Sequence, residues 1–206
     1  MMKGVDTVLT SRKKQGLKTK KRILEIALLL FSEKGFDNVT VDKIVDKAGV
    51  SKGAFYNHFK SKDEIFIYKF KEIDDFYEEF LKSLPDNISN RDKIIKLVEG
   101  QMAFTEEYLG RDLVRTIYIN AISHRSNRTL AKKDRPLYLI VESFIEQGQK
   151  AGEFKLDFSA KETALIVTRS MRATIYDWCL FRGEFNLVKE GNKLTSLILD
   201  GLNPDK

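Results

Sequence analysis

The sequence predicts an all-α protein with a small N-terminal helix-turn-helix domain and a larger, antiparallel helical body. Three observations carry that prediction. Between turns, apolar residues recur at steps of three and four, so each segment turns one stripe toward a core. Only three prolines interrupt 206 residues, and no run alternates apolar and polar side chains as a half-buried strand does. Net positive charge is confined to one end: residues 1–62 hold 14 Lys and Arg against 6 Asp and Glu, net +8, whereas the remainder holds 22 against 24, net −2. A basic head on a near-neutral body points to a polyanionic partner for the head alone. At 42% hydrophobic and 32% charged residues the chain can bury two cores, and the expected division is 1–62 and 63–206.

Composition also narrows the chemistry. A single cysteine, Cys179, rules out a disulfide within the chain and a multi-thiol metal site, which suits a reducing compartment. Its place beside Trp178 on an apolar helix is one where a thiol is usually inert. The two histidines, His58 and His124, have no metal-ligand spacing around them. No glycine loop cradles a phosphate, and no carboxylate pair stands out from the caps and solvent faces. The longest greasy run, Ile23 to Phe31, is broken by Glu25 and far short of the ~20 residues of a membrane span. The expectation is a cytoplasmic, non-enzymatic protein with no metal, cofactor or membrane partner.

Taken in order, residues 1–16 have little helical periodicity and begin a basic arm that continues through Arg22. Such an arm either reaches phosphates or a minor groove, or is a solvated tail. Thr19 to Lys34 forms a first helix on the stripe Ile23, Ala27, Leu30 and Phe31, with Gly35 as its stop. Thr40 caps a second helix carrying Val41, Ile44, Val45 and Ala48, which Gly49 ends. Val50 closes the corner and Ser51 caps a third helix. There Phe55 and Phe59 share the buried face, so Lys52, Gly53, Tyr56 and Asn57, with neighbouring His58, turn outward. A cation, a bare backbone, a phenol and an amide suit phosphates, base edges and thymine methyls. Ser61 and Glu64 read as a capping box with Lys62 at the amide-rich helix start, where a phosphate is attracted.

The run AGVSKGAFYNHFKSKDEIF resembles the TetR family of bacterial regulators, over about the first third of the chain. The resemblance implies that the third helix enters the major groove while Phe55 and Phe59 hold it to the core. It places Tyr56, Asn57 and His58 on DNA, brings Lys52, Gly53 and Lys62 close to it, and makes Thr40 a phosphate-contacting cap. It also implies a homodimer, with a four-helix interface from the last two helices, and a small-molecule cavity in the body.

Beyond the head, Asp63 to about Ser83 is a long helix on the stripe Phe66, Phe70, Ile73, Tyr77, Phe80 and Leu84, ended by Pro85-Asp86-Asn87. As a rod reaching from head to body it is the candidate for transmitting a ligand's effect. Further helices are expected from Ser89 to Gly110, from Arg111 to about His124, and from Leu130 or Pro136 to Gln149. A second capping box, Ser159 with Glu162, opens a helix to about Arg182, and the last takes Leu187 to Leu202. Polar groups among greasy ones make Tyr118, His124, Tyr138, Arg172 and Tyr176 the candidate ligand residues, each alternatively a satisfied core or interface residue. The function expected is a homodimeric repressor on a palindromic double-stranded DNA operator, released by a small-molecule inducer. Set against it are an enzyme or carrier whose basic head only localises it, and an architectural binder indifferent to sequence.

Overall fold

The computed structural model describes residues 11–85, 87–123, 132 and 134–204. Among them every regular element is helical. The elements are α1 (Ser11–Lys34), α2 (Val41–Ala48), α3 (Lys52–Tyr56), α4 (Asp63–Ser83), α5 (Asn90–Ala103), α6 (Arg111–Ser123), α7 (Pro136–Lys150), α8 (Ala160–Leu180) and α9 (Leu187–Gly201). A π-helical turn, Phe104–Leu109, runs on directly from α5. The chain forms two compact units that divide between Tyr68 and Lys69, six residues beyond the 62/63 boundary expected. The reason is that Ile65 and Phe66, in the first turn of α4, are fully buried, and Phe66 stacks on Phe31 with centroids 5.3 Å apart.

In the first unit α1, α2 and α3 enclose an aromatic core. Phe36 meets Phe31 edge-on at 4.9 Å and Phe66 at 5.3 Å, while Ile23, Ala27, Leu30, Val39, Ile44 and Ala48 fill the space between. Val50, expected inside, is only half-buried. Helix α1 starts at Ser11 rather than Thr19. The added turns are rich in Lys, Arg and Gln, straight-chain helix formers that need no periodicity to propagate an existing helix. The expected arm upstream of residue 11 lies outside the described residues.

The second unit is built from the rest of α4 with α5 to α9. Helix α5 packs on α7 and α9, and α8 lies against α6, α7 and α9. Gly148 of α7 marks one close approach: a Cβ built there would sit 2.3 Å from the Phe154 ring. The α5 N-terminus is held from a distance. The Glu153 carboxylate accepts from Asn90 Nδ2 at 2.8 Å and from the Arg91 amide at 3.2 Å, and the second bond satisfies an orphan helix-start donor. The Ser159–Glu162 capping box is formed, and its hydrogen bonds hold the Glu162 carboxyl below its usual pKa. The expected Ser61–Glu64 box is not: Glu64 accepts instead from the Lys60 amide, because residues 60–62 bend before the helix begins. No helix among the described residues is long and apolar enough to cross a membrane.

Candidate functional site

Two places in the molecule gather chemistry, one in each unit. The first is the outward side of the α2–turn–α3 motif. The Thr40 hydroxyl accepts from the Lys43 amide at 3.3 Å and starts α2. Gly49 ends it with φ 62°, a left-handed conformation that costs glycine little. The Ser51 hydroxyl then accepts from the Ala54 amide at 3.1 Å. Although α3 has only five residues, hydrogen bonds from the Asn57 amide to Gly53 O (3.0 Å) and from the Phe59 amide to Phe55 O (2.9 Å) continue its winding. Phe55 and Phe59 are 0% and 1% exposed, and Tyr56 between them is 50% exposed. Burying two such rings contributes roughly 2–3 kcal/mol each to fixing the angle of α3. Lys52, Gly53, Asn57 and Thr40 are exposed with Tyr56, and His58 is half-buried, 4.0 Å from where a Cβ on Gly16 of α1 would stand.

Two details of this face were not legible in the sequence. Lys52 pairs with Asp42 across the motif at 2.8 Å, and the hydrogen bond to that carboxylate, then its charge, raises the Lys52 pKa. Both groups are exposed, so the pair sets side-chain direction more than stability. Arg22 of α1 also reaches the motif: its Nη2 lies 3.2 Å from the position of a Cβ on Gly49. Lys62 departs further from expectation. Its ammonium donates to Phe36 O at 2.7 Å and Val39 O at 3.0 Å, and sits 4.1 Å above the Phe36 ring. Of three N–H donors, two are committed to the loop between α1 and α2, so at most one is left for a phosphate.

The second place is a cavity of ≈ 70 Å³ inside the second unit, reached by α4, α5, the π-helical turn, α6, α7 and α8. Phe70, Ile73, Ile117, Leu137, Met171 and Ile175 make much of its wall. Polar groups enter in three sets. Tyr77 donates to Gln101 Oε1, and Gln101 Nε2 donates to Thr105 Oγ1 at 2.9 Å. Arg172 donates to the Tyr138 hydroxyl, and the Tyr118 hydroxyl donates to Arg172 O at 3.3 Å. Arg135 pairs with Asp74 at 2.8 Å and lies 5.2 Å from the Phe70 centroid. Burial raises the pKa of both Tyr77 and Tyr118, keeping their hydroxyls protonated donors.

Of the expected ligand residues, Tyr118, Tyr138 and Arg172 meet at this cavity. Tyr176 does not. It is half exposed and borders a surface groove with Arg115, Ile119 and Cys179, its ring 6.5 Å from that of Tyr118. His124 lies outside the described residues. Sequence reasoning missed Gln101, Thr105 and Arg135. Gln101 lies on α5, Thr105 in the π-helical turn and Arg135 at the N-cap of α7, where polar residues are common and only packing separates these from the rest. Cys179 is half-buried, and desolvation raises its thiol pKa, which opposes thiolate reactivity.

A helical motif presenting a cation, a phenol and an amide in one unit, and an apolar cavity with buried polar groups in the other, is an arrangement compatible with the class of one-component DNA-binding regulators. The comparisons agree with that class. Residues 23–68 match the family model for bacterial regulatory proteins of the tetR family. The fatty acid metabolism regulator protein of Bacillus subtilis is 24% identical over 187 residues, 88% of this chain and 94% of the relative. The transcriptional regulator AcrR of Shigella flexneri is 24% identical over 198 residues, 91% of each. Among solved structures, FadR from Bacillus subtilis in complex with stearoyl-CoA superposes with a TM-score of 0.76 at 21% identity, covering 89% of this chain and 99% of that one. Residues 23–68 thus match the DNA-binding segment of the tetR family of bacterial regulatory proteins, and the relatives that match across most of the chain are themselves named as regulators.

Proposed function

We propose that the protein is a homodimeric repressor that reads a palindromic operator through α3 and releases it when a small molecule enters the cavity of the second unit. One observation carries the reading: Phe55 and Phe59 are wholly buried while Lys52, Gly53, Tyr56 and Asn57 between and before them are exposed. In the groove, Lys52 exchanges Asp42 for a base acceptor or phosphate, Tyr56 and Asn57 meet base edges, and Gly53 lets the backbone approach. Thr40, His58 and the basic start of α1 lie along phosphates, with Lys62 in a supporting part. The second reading of Lys62, as a principal anchor, is disfavoured by its two carbonyl bonds.

Dimerisation through α8 and α9 is supported by what those helices leave uncovered. Leu180 is 61% and Leu197 63% exposed, and Ile166, Phe181 and Leu194 are exposed as well. Two copies covering these residues would form a four-helix interface, and two recognition helices ~34–36 Å apart would match one turn of the duplex. Ligand release requires a coupling of about 1–3 kcal/mol. Helix α4 is suited to carry it, since Phe66 belongs to the first unit's core and Phe70, Ile73 and Tyr77 line the cavity. The experiment is selection of binding sites from random duplexes, with sedimentation of the protein alone. An inverted repeat bound by a dimer is expected. Retention of duplexes without any consensus would replace this reading with an architectural one.

A further inference from the structure

The cavity wall contains an arrangement that specifies more than greasiness. Among the described residues, two guanidiniums, Arg135 and Arg172, line it and no carboxylate does. The Arg135 side chain is only 10% exposed. Asp74 takes one donor through Nη2 at 2.8 Å, whereas Nε–H is buried with no acceptor. An interior N–H of a cation without a partner is an unfilled position in an otherwise satisfied site. The acceptor best matched to it is an anionic oxygen, because a guanidinium edge binds carboxylate geometry with directional, charge-assisted bonds. Around it the wall is aliphatic and aromatic, so the remainder of such a molecule must be apolar.

We infer that the effector is an amphipathic organic acid, held with its anionic head inside the cavity on Arg135 and its apolar body among Phe70, Ile117 and Met171. This rests on the proposed reading of the cavity as the effector site and adds where the head lies. It also separates two ligand chemistries: a free acid puts its charge at the buried end, whereas a coenzyme A thioester has no charge at its carbonyl and carries its phosphates at the far end of a bulky group.

The test uses the full-length protein, titrated calorimetrically with decanoate, decan-1-ol and decanoyl-CoA. Decanoate is expected to bind at least ten-fold more tightly than the alcohol. The pair variant Arg135→Met/Asp74→Asn, which removes both charges together so that neither is left buried alone, is expected to bring that ratio to about one through weaker decanoate binding. Arg135→Lys, keeping the charge but not the fork, is expected to fall between. Equal binding of acid and alcohol by the native protein, an acid preference that survives the pair variant, or binding of the thioester alone would each overturn the assignment, as would binding of none of the three. Mobility shifts of operator DNA in decanoate read the regulatory role separately. Arg135-dependent acid binding without DNA release leaves the head site standing and removes the inducer reading.

Discussion

The two units of this chain are both helical and both closed by aromatic and aliphatic side chains, yet they treat polar groups in opposite ways. The first unit keeps its core almost wholly apolar, with Phe31, Phe36, Phe55, Phe59 and Phe66 at its centre, and sends its functional side chains outward on a short helix. The second buries tyrosine hydroxyls, an amide and guanidinium groups around a cavity. A reader of DNA needs a fixed platform, because a shift of α3 by a fraction of a turn moves every contact. A ligand site needs unfilled volume and unpaired donors, both of which cost stability. On the proposed function, the apolar core of the first unit and the cavity of the second serve different tasks in different parts of one chain.

That contrast predicts where substitutions act. Phe59→Ala removes a fully buried ring and should cost about 3–5 kcal/mol. Hydrogen exchange should then show lost protection in α1 to α3 with the slowest amides of α5 and α8 unchanged; a uniform loss would mean that the units do not have separable stabilities. Gly148→Ala is the mirror experiment, since its Cβ would press on the buried Phe154 ring. Overpacking should destabilise the second unit by about 1–3 kcal/mol, leaving α2 and α3 protected.

Lys62→Met sharpens the comparison within the first unit. It keeps the stem over Phe36 and removes two carbonyl partners, so thermal unfolding should show a loss of about 1–3 kcal/mol, with the salt dependence of DNA binding nearly unaltered. A salt slope shallower by about one would instead place Lys62 on a phosphate. The smallest effect concerns alkaline pH. Tyr118 has a folded pKa raised above its ordinary value of 10.0 by burial, so the folded state holds a proton that the unfolded state releases. Stability is therefore fully present below pH 10 and falls as pH rises above it. Tyr118→Phe should flatten that fall in alkaline melts, and an unchanged slope would mean that the hydroxyl is solvated.

The legibility of the sequence follows the same division. Thr40, Gly49, Ser51 and the Phe55–Phe59 spacing act on neighbours within a few residues, so the motif could be located before its coordinates were known. The end of α4 and the starts of α6 and α9 were readable for the same reason, from Pro85, Gly110 and Leu187; the Asn186 cap of α9 was not singled out. The cavity was only partly readable. Arg135 meets Asp74 across 61 positions of sequence and Tyr138 meets Arg172 across 34, and nothing local distinguishes those polar residues from solvent-facing ones. The occupation of Lys62 was hidden likewise, because its carbonyl partners lie 23 and 26 positions earlier.

The central claim, that the exposed face of α3 reads DNA, is tested most directly by footprinting the selected inverted repeat with native protein and with Lys52→Ala/Tyr56→Ala. Both side chains are exposed, so the variant should melt within a few degrees of the native protein. Its affinity for the repeat should fall about 100-fold or more, while weak binding to unrelated duplex persists. An intact footprint from the variant at native concentration would contradict the account, because the operator would then be read by some other surface.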